Sequence, residues 1–236
     1  MKVTTEEIAE FNHKLQYYST FEVLSYFLRK YRERIALASN MGAEDQVLTD
    51  MIVGIDNTAR IITLDTEKLF TETYRLIEET NNRYNIYIQV YTPDPDVLKE
   101  SFMGRPFHSI YESIEFRKRC CYARKVEPLK RALKGLDVWI TGLRREQSVT
   151  REKDELIEWD DENGLLKINP LIEWSEEKIW NYIHAHNVPY NSLHNKGYPS
   201  IGCEPCTKAI EEGEDIRAGR WWWEKPEYRE CGLHKH

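Results

Sequence analysis

Five cysteines stand in an arrangement that suggests chemistry: an adjacent pair, Cys120-Cys121, a Cys-x-x-Cys pair, Cys203 and Cys206, and Cys231 in the run Glu230-Cys231-Gly232-Leu233-His234. Four thiolates in two close pairs meet the need of a tetrahedral metal or iron–sulfur site, which draws four sulfurs into one small volume. For Cys203 and Cys206 a redox dithiol is the competing reading. It is weakened by the absence of a preceding strand and by the second cysteine pair elsewhere. Neighbouring side chains on a helix point about 100° apart, so bringing Cys120 and Cys121 to one centre demands a distortion of the helical stretch that runs from them to about Leu133. Cys231 is left over, beside polar and basic residues, and an unpaired thiol there is a candidate nucleophile.

Other groups could hold an anion. Ser39-Asn40-Met41-Gly42-Ala43-Glu44-Asp45 follows a strand and opens a helix, a setting that turns backbone N–H groups toward a phosphate, although an ordinary βα turn reads the same way. The G-x-x-x-x-G-K-[ST] pattern is absent, which excludes a P-loop of that type. Leu64-Asp65-Thr66 ends the next strand, where Asp-Thr is commonly a helix cap. Gly142-Leu143-Arg144-Arg145-Glu146-Gln147-Ser148, with Arg151, gathers three arginines, whose forks match phosphate or sulfate oxygens. Lys125 lies one turn after Cys121 in a basic helix and reads by itself as a surface residue. Arg217 and Arg220, at i,i+3, precede Trp221-Trp222-Trp223, a triplet that reads as packing surface. His234 follows Cys231 by three residues, where it could depress the thiol pKa or meet an anion.

These residues need elements to position them. Apolar residues recur at three-to-four spacing over 5–34, predicting helices. Strands are predicted at Ile35–Ser39, Arg60–Leu64, Ile86–Val90 and Asp137–Thr141, with helices at roughly 44–53, from Thr66 to about 81, and near 175–187. Strands alternating with helices predict an α/β fold, a mainly parallel twisted sheet flanked by helices. Ligands in such sheets bind beyond the carboxyl ends of the strands, so segments 38–45, 64–66 and 142–145 are expected to share a pocket. Residues 188–236 lack a strand pattern. The expected organisation is an α/β domain over 1–187, which includes the first cysteine pair. An irregular C-terminal segment over 188–236, part of the same domain, carries the second pair and Cys231.

The chain of 236 residues has a net charge of −7, which argues against non-specific nucleic-acid binding. No apolar stretch approaches the roughly 20 residues of a membrane span, and the acidic N-terminus lacks a secretory signal. A reducing, cytoplasmic setting is therefore expected, in which paired cysteines favour metal or catalysis over disulfides.

Taken together, Cys120-Cys121 with Cys203-x-x-Cys206, Gly142-Leu143-Arg144-Arg145-x-Gln147-Ser148, Arg217-Ala218-Gly219-Arg220-Trp221 and Glu230-Cys231-Gly232-Leu233-His234 make the chain resemble an assimilatory sulfonucleotide reductase of the cluster-bearing adenosine 5′-phosphosulfate (APS) branch. The resemblance implies an adenine nucleotide α-hydrolase-like fold related to the PP-loop enzymes. It also implies a [4Fe–4S] cluster on Cys120, Cys121, Cys203 and Cys206, and electrons from thioredoxin or glutaredoxin. It makes Cys231 the nucleophile that attacks the sulfonate sulfur, releasing AMP and leaving a thiosulfonate that thioredoxin cleaves to sulfite. Lys125, Arg217, Arg220 and His234 match the phosphosulfate contacts, residues 39–45 the modified pyrophosphatase loop, and Leu64-Asp65-Thr66 the adenosine-binding strand end. Two departures stand out: the loop is less serine-rich than in relatives, and Glu67 stands where the family commonly has glycine. With four cysteine ligands the cluster keeps no substrate position, so it is expected to organise the site electrostatically, through Lys125, rather than to pass electrons.

The alternatives are the same reaction on the 3′-phosphorylated nucleotide, an ATP-dependent thiolation or adenylation enzyme on the same fold, and a zinc-stabilised binding module in which Cys231 is incidental. The ATP-dependent reading would need a serine- and glycine-rich pyrophosphate loop that Ser39–Gly42 does not supply. The preferred nucleotide and the oligomeric state, including a homo-oligomer, stay open.

Overall fold

The computed structural model describes residues 3–147 and 153–229, with the side chain of Pro226 left aside. Helices α1 (Thr5–Leu15) and α2 (Thr20–Tyr31) lead into β1 (Ile35–Ser39), α3 (Ala43–Ile55), β2 (Arg60–Leu64), α4 (Thr71–Tyr84) and β3 (Gln89–Tyr91). After them come α5 (Pro95–Phe102), α6 (Ile114–Cys121), α7 (Glu127–Leu133), β4 (Val138–Ile140), β5 (Ile157–Asp160), β6 (Leu165–Ile168) and α8 (Glu176–His186). The six strands form one sheet in the order β3-β2-β1-β4-β6-β5. β1 pairs in parallel with β2 and β4, and β4 in parallel with β6, while the edge strand β5 runs antiparallel to β6. The predicted α/β class holds.

Local chemistry sets these elements. Capping boxes, Thr4 with Glu7 and Ser19 with Glu22, start α1 and α2 by satisfying backbone donors that a helix N-terminus leaves open. The central strands are buried: every residue of β4 is buried and so are four of the five in β1, as a strand covered on both faces requires. Phe27, Leu37, Val47, Leu48, Ile61, Ile140 and Ile168 belong to one core cluster, each at 2% exposure or less. Each such side chain contributes roughly 1.5–3 kcal/mol of apolar transfer.

β1 and β2 match their predicted bounds, and the third strand does not. Asn85 takes φ 50°, and the Ile86 and Ile88 amides turn back onto the Asn81 backbone and side-chain oxygens. Residues 85–88 thus close α4 and the strand begins only at Gln89. The β5–β6 hairpin was not predicted, because its strands are four residues long and carry charges. Lys167, buried on β6, pairs with Glu158 across the hairpin at 2.8 Å. Among the described residues after 187 there is no strand, only 3₁₀ turns and an isolated bridge, Thr207 to Arg220. No helix among the described residues is long and apolar enough to cross a membrane.

The chain divides into two compact units. One gathers the described residues through Thr63 with Leu76–Gln89 and Leu133–Asn191; the other gathers Leu64–Arg75, Val90–Ala132 and the described residues from Ser192 onward. In the second unit Cys120 and Cys121 pack with Cys203 and Cys206.

Candidate functional site

The cysteine-bearing unit is built around a break in helical geometry. Ser113 caps α6, accepting from the Phe116 amide, and the helix runs to Cys121. Tyr122–Val126 then form a π turn, in which the Glu127 amide donates to the Tyr122 carbonyl. The extra residue per turn is the distortion that two adjacent cysteines facing one centre call for. The pair sits at the end of one helix and the start of this turn, not at the start of an α-helix.

Cys203 and Cys206 bracket a 3₁₀ turn, Glu204–Cys206, closed by the Cys206 amide donating to the Cys203 carbonyl at 2.9 Å. All four cysteines are free thiols and all are buried, at 6–8% exposure. They line one cavity with Lys125, Lys68, Arg117, Arg124, Ile110, Phe107 and Trp221. Burial, then the neighbouring Cys203, pushes the Cys120 thiol up to about 11, against the pull of Arg124 and Lys125. Burial and Cys203 likewise push Cys206 up to about 12, opposed by Lys125 and Arg220. Binding of a metal, which takes sulfurs as thiolates, would displace these protons. Among the described residues, no three His, Cys, Asp or Glu side chains are grouped to hold a single metal ion. A polynuclear cluster asks for something else, one sulfur for each iron, and four buried thiols around a cavity with cationic neighbours fit that donor set.

Two arginines that sequence reasoning left in a generic basic helix belong to this site. Arg117 is fully buried, its Nε and Nη2 bonded to the two carboxylate oxygens of Glu224 at 2.9 and 2.7 Å. Burial works against the Arg117 charge, yet Glu224 and then Cys121 outweigh it and raise its pKa. Arg124 donates from Nη1 to the Thr66 carbonyl at 2.7 Å and to Glu67 at 3.0 Å. The signal was available: 117, 120 and 121, and 124 share one helical face.

Thr66 is buried, and its hydroxyl lies 3.3 Å from Cys203 Sγ. Asp65 Oδ1 accepts from the Glu67 amide and the Tyr74 hydroxyl, both at 2.7 Å. Glu67 takes φ 56°, the left-handed region that favours glycine, which accounts for that expected residue. Arg220 reaches the Ser200 hydroxyl and the Ile201 carbonyl at 3.3 Å and stacks on Trp221 at 4.7 Å. A Cβ on Gly202 would collide with its guanidinium. Arg217 donates to the Arg229 carbonyl at 2.8 Å. Trp221 is buried in the cavity wall, whereas Trp222 is exposed. Ser148, Arg151, Cys231 and His234 lie outside the described residues.

In the other unit, the segment after β1 is folded upon itself. The Met41 amide donates to Ser39 Oγ, the Gly42 amide to Asn40 Oδ1, and the Asn40 amide to Asp45 Oδ2, at 3.1, 2.8 and 2.6 Å. The left-handed residue of the turn is Met41, at φ 63°, not Gly42. Three amides expected to face a phosphate are thus engaged by protein oxygens. Asp45 is buried, and its carboxyl also takes backbone bonds from Gly42 and Gly142. Burial lifts its pKa to about 7 against those bonds. Gly142 is required there, since a Cβ would strike the Asp45 carboxylate.

The arginines after β4 also make bonds within the chain. Arg144 is buried and bonded to Glu44 at 2.8 Å, with Gln147 on the same carboxylate oxygen at 2.9 Å. Arg145 pairs with Glu173 and donates to the Asp154 carbonyl. Both forks find carboxylates supplied by the chain itself.

Residues 34–209 match the phosphoadenosine phosphosulfate reductase domain family. The chain is 52% identical to the adenosine 5′-phosphosulfate reductase of Allochromatium vinosum over 92% of its own length and 84% of that protein. It is 50% identical to that of Neisseria meningitidis serogroup B, over 84% and 81%. Among solved structures it resembles the phosphoadenylyl-sulfate reductase of Candida auris, in a phosphate complex, with TM-score 0.75 and 26% identity over 89% of this chain and 99% of that one. The FMN adenylyltransferase of Candida glabrata, at TM-score 0.55 and 17% identity over 100% of this chain and 78% of that one, shares the fold alone. With a family match over most of its length and relatives near half identity, the chain belongs to the phosphoadenosine phosphosulfate reductase family, beside the adenosine 5′-phosphosulfate reductases.

Proposed function

We propose that this protein reduces adenosine 5′-phosphosulfate to sulfite and AMP, with Cys231 as nucleophile and thioredoxin or a similar dithiol as reductant. The Cys231 thiolate attacks the sulfonate sulfur, the S–O bond to phosphate breaks, and AMP departs with that electron pair. The product is an S-sulfocysteine. A thioredoxin thiolate then attacks the Cys231 sulfur, sulfite leaves, and a mixed disulfide forms. The second thioredoxin thiol resolves it, so thioredoxin is oxidised and Cys231 returns as a thiolate. Thiolates react near neutral pH without a general base when cations depress their pKa.

The observation that carries this reading is the cavity lined by four cysteines and by Lys125, in a chain half identical to proteins named for this activity. Cys120, Cys121, Cys203 and Cys206 are the residues that would hold a [4Fe–4S] cluster, and Lys125, in the same cavity wall, would supply positive charge to the substrate's anionic groups. We assign Lys125, Arg217, Arg220 and His234 to the phosphosulfate, and Ser39–Asp45 with Leu64–Thr66 to the nucleotide. Arg144 and Arg145 hold the segments around Glu44 and Glu173. A reducing cytoplasm suits a protein whose described cysteines are all free.

The test is sulfite release from adenosine 5′-phosphosulfate and its 3′-phosphorylated form side by side, with thioredoxin present and then omitted. Thioredoxin-dependent release, faster from the first nucleotide, is expected. No sulfite from either nucleotide would contradict the proposal.

A further inference from the structure

The last described turn of the chain is held by arginines. The Glu224 carbonyl accepts from Arg229 Nε at 3.0 Å, the Tyr228 carbonyl from Arg117 Nη2 at 2.6 Å, and the Arg229 carbonyl from Arg217 Nη2 at 2.8 Å. Apolar burial does not hold this turn, since Lys225, Glu227 and Tyr228 are exposed. Arg117 is the member that reaches deepest. It lies over the Trp221 ring at 5.0 Å, hydrogen-bonds the Cys121 side chain, and closes on both carboxylate oxygens of Glu224, which is 7% exposed. A buried ion pair is a poor way to gain stability, because an apolar pair of the same volume does as well. What a bidentate fork adds is direction. Cys231 follows Tyr228 by three positions in the sequence.

We infer that Arg117 and Glu224 form a positioning device: closed on the Tyr228 carbonyl, the pair ties the segment leading to Cys231 to the helix end that carries Cys120 and Cys121. Neither residue touches substrate. The inference rests on the proposed role of Cys231, and it gives a buried charge pair a task in catalysis. Nucleophile and phosphosulfate contacts must stay in register to within a fraction of an ångström for attack, and a fixed strut beside the cysteine pair supplies that.

The experiment uses the iron-loaded, full-length protein. The double variant Arg117→Met/Glu224→Leu removes both charges and keeps the volume filled. It is expected to retain iron and a KM within about twofold of wild type, while kcat falls at least about tenfold. Trypsin cleavage after Arg229 and alkylation of Cys231 should each accelerate by about the same factor as the segment loosens. Arg117→Lys keeps the charge without the fork, is expected to fall between the two, and carries the test if the double variant fails to fold. The inference is overturned if kcat and cleavage stay within about twofold of wild type in the double variant, or in Arg117→Lys should that alone fold, or if iron is lost in step with activity. Should wild type itself make no sulfite, the reaction assignment fails, yet the cleavage and alkylation rates still decide whether the pair holds the segment.

Discussion

The cysteine cavity and the loop after β1 are furnished with the same kinds of residue, and the protein uses them in opposite ways. Around the cysteines, Lys125 and Arg124 aim positive charge at sulfurs that burial has made reluctant to ionise, and this charge is directed toward a cavity. Around Asp45, backbone amides, a buried carboxyl and the Arg144 fork are spent on one another. The first arrangement surrounds a cavity; in the second the groups engage one another within the loop. A buried arginine beside a glutamate is held by the chain itself in both places, Arg117 on Glu224 in the cavity wall and Arg144 on Glu44 at the loop.

That contrast can be broken most forcefully at the sulfurs. Replacing any one of Cys120, Cys121, Cys203 or Cys206 with serine is expected to remove iron and visible absorption and to abolish sulfite formation. Metal analysis with absorption spectroscopy checks it, and a variant that kept full iron would show that the ligand set is wrong. At the loop, Arg144→Ala leaves Glu44 without its buried partner. It should cost about 3 kcal/mol of stability and leave KM nearly unchanged. Denaturant unfolding with steady-state kinetics decides this; a raised KM with unaltered stability would return Arg144 to anion binding. The gentlest probe is Glu67→Gly, which relieves the left-handed backbone at the cost of a half-exposed ion pair with Arg124. Stability should rise, by less than about 1 kcal/mol, and a loss above about 2 kcal/mol would mean that the ion pair outweighs the strain.

How much could be read in advance follows the same division. β1 and β2 were legible because apolar, buried strands bounded by turns leave a plain pattern. The π turn after Cys121 was foreseeable, since two adjacent cysteines cannot face one centre on an undistorted helix. β5 and β6 were hidden by charges that pair across the hairpin, Glu158 with Lys167, which composition cannot distinguish from solvated ones. The intrachain partners of Arg144 and Arg145 were hidden for a related reason: sequence shows that an arginine is present but not which acceptors of the chain reach it. Arg117 and Arg124 were overlooked among basic neighbours, although their seven-residue spacing across the cysteine pair placed them on its face. Glu67 shows the converse, a departure noticed as residue type whose cause is a backbone angle.

The central claim is that one thiol, apart from the four gathered at the cavity, performs the displacement. The most direct measurement is intact mass and peptide mapping of the iron-loaded protein after exposure to adenosine 5′-phosphosulfate with no dithiol present. One added SO₃ group on Cys231, discharged as sulfite when thioredoxin is supplied and absent from Cys231→Ser, is the predicted result. A sulfonate carried by any other residue, or sulfite made by Cys231→Ser at an undiminished rate, would contradict it.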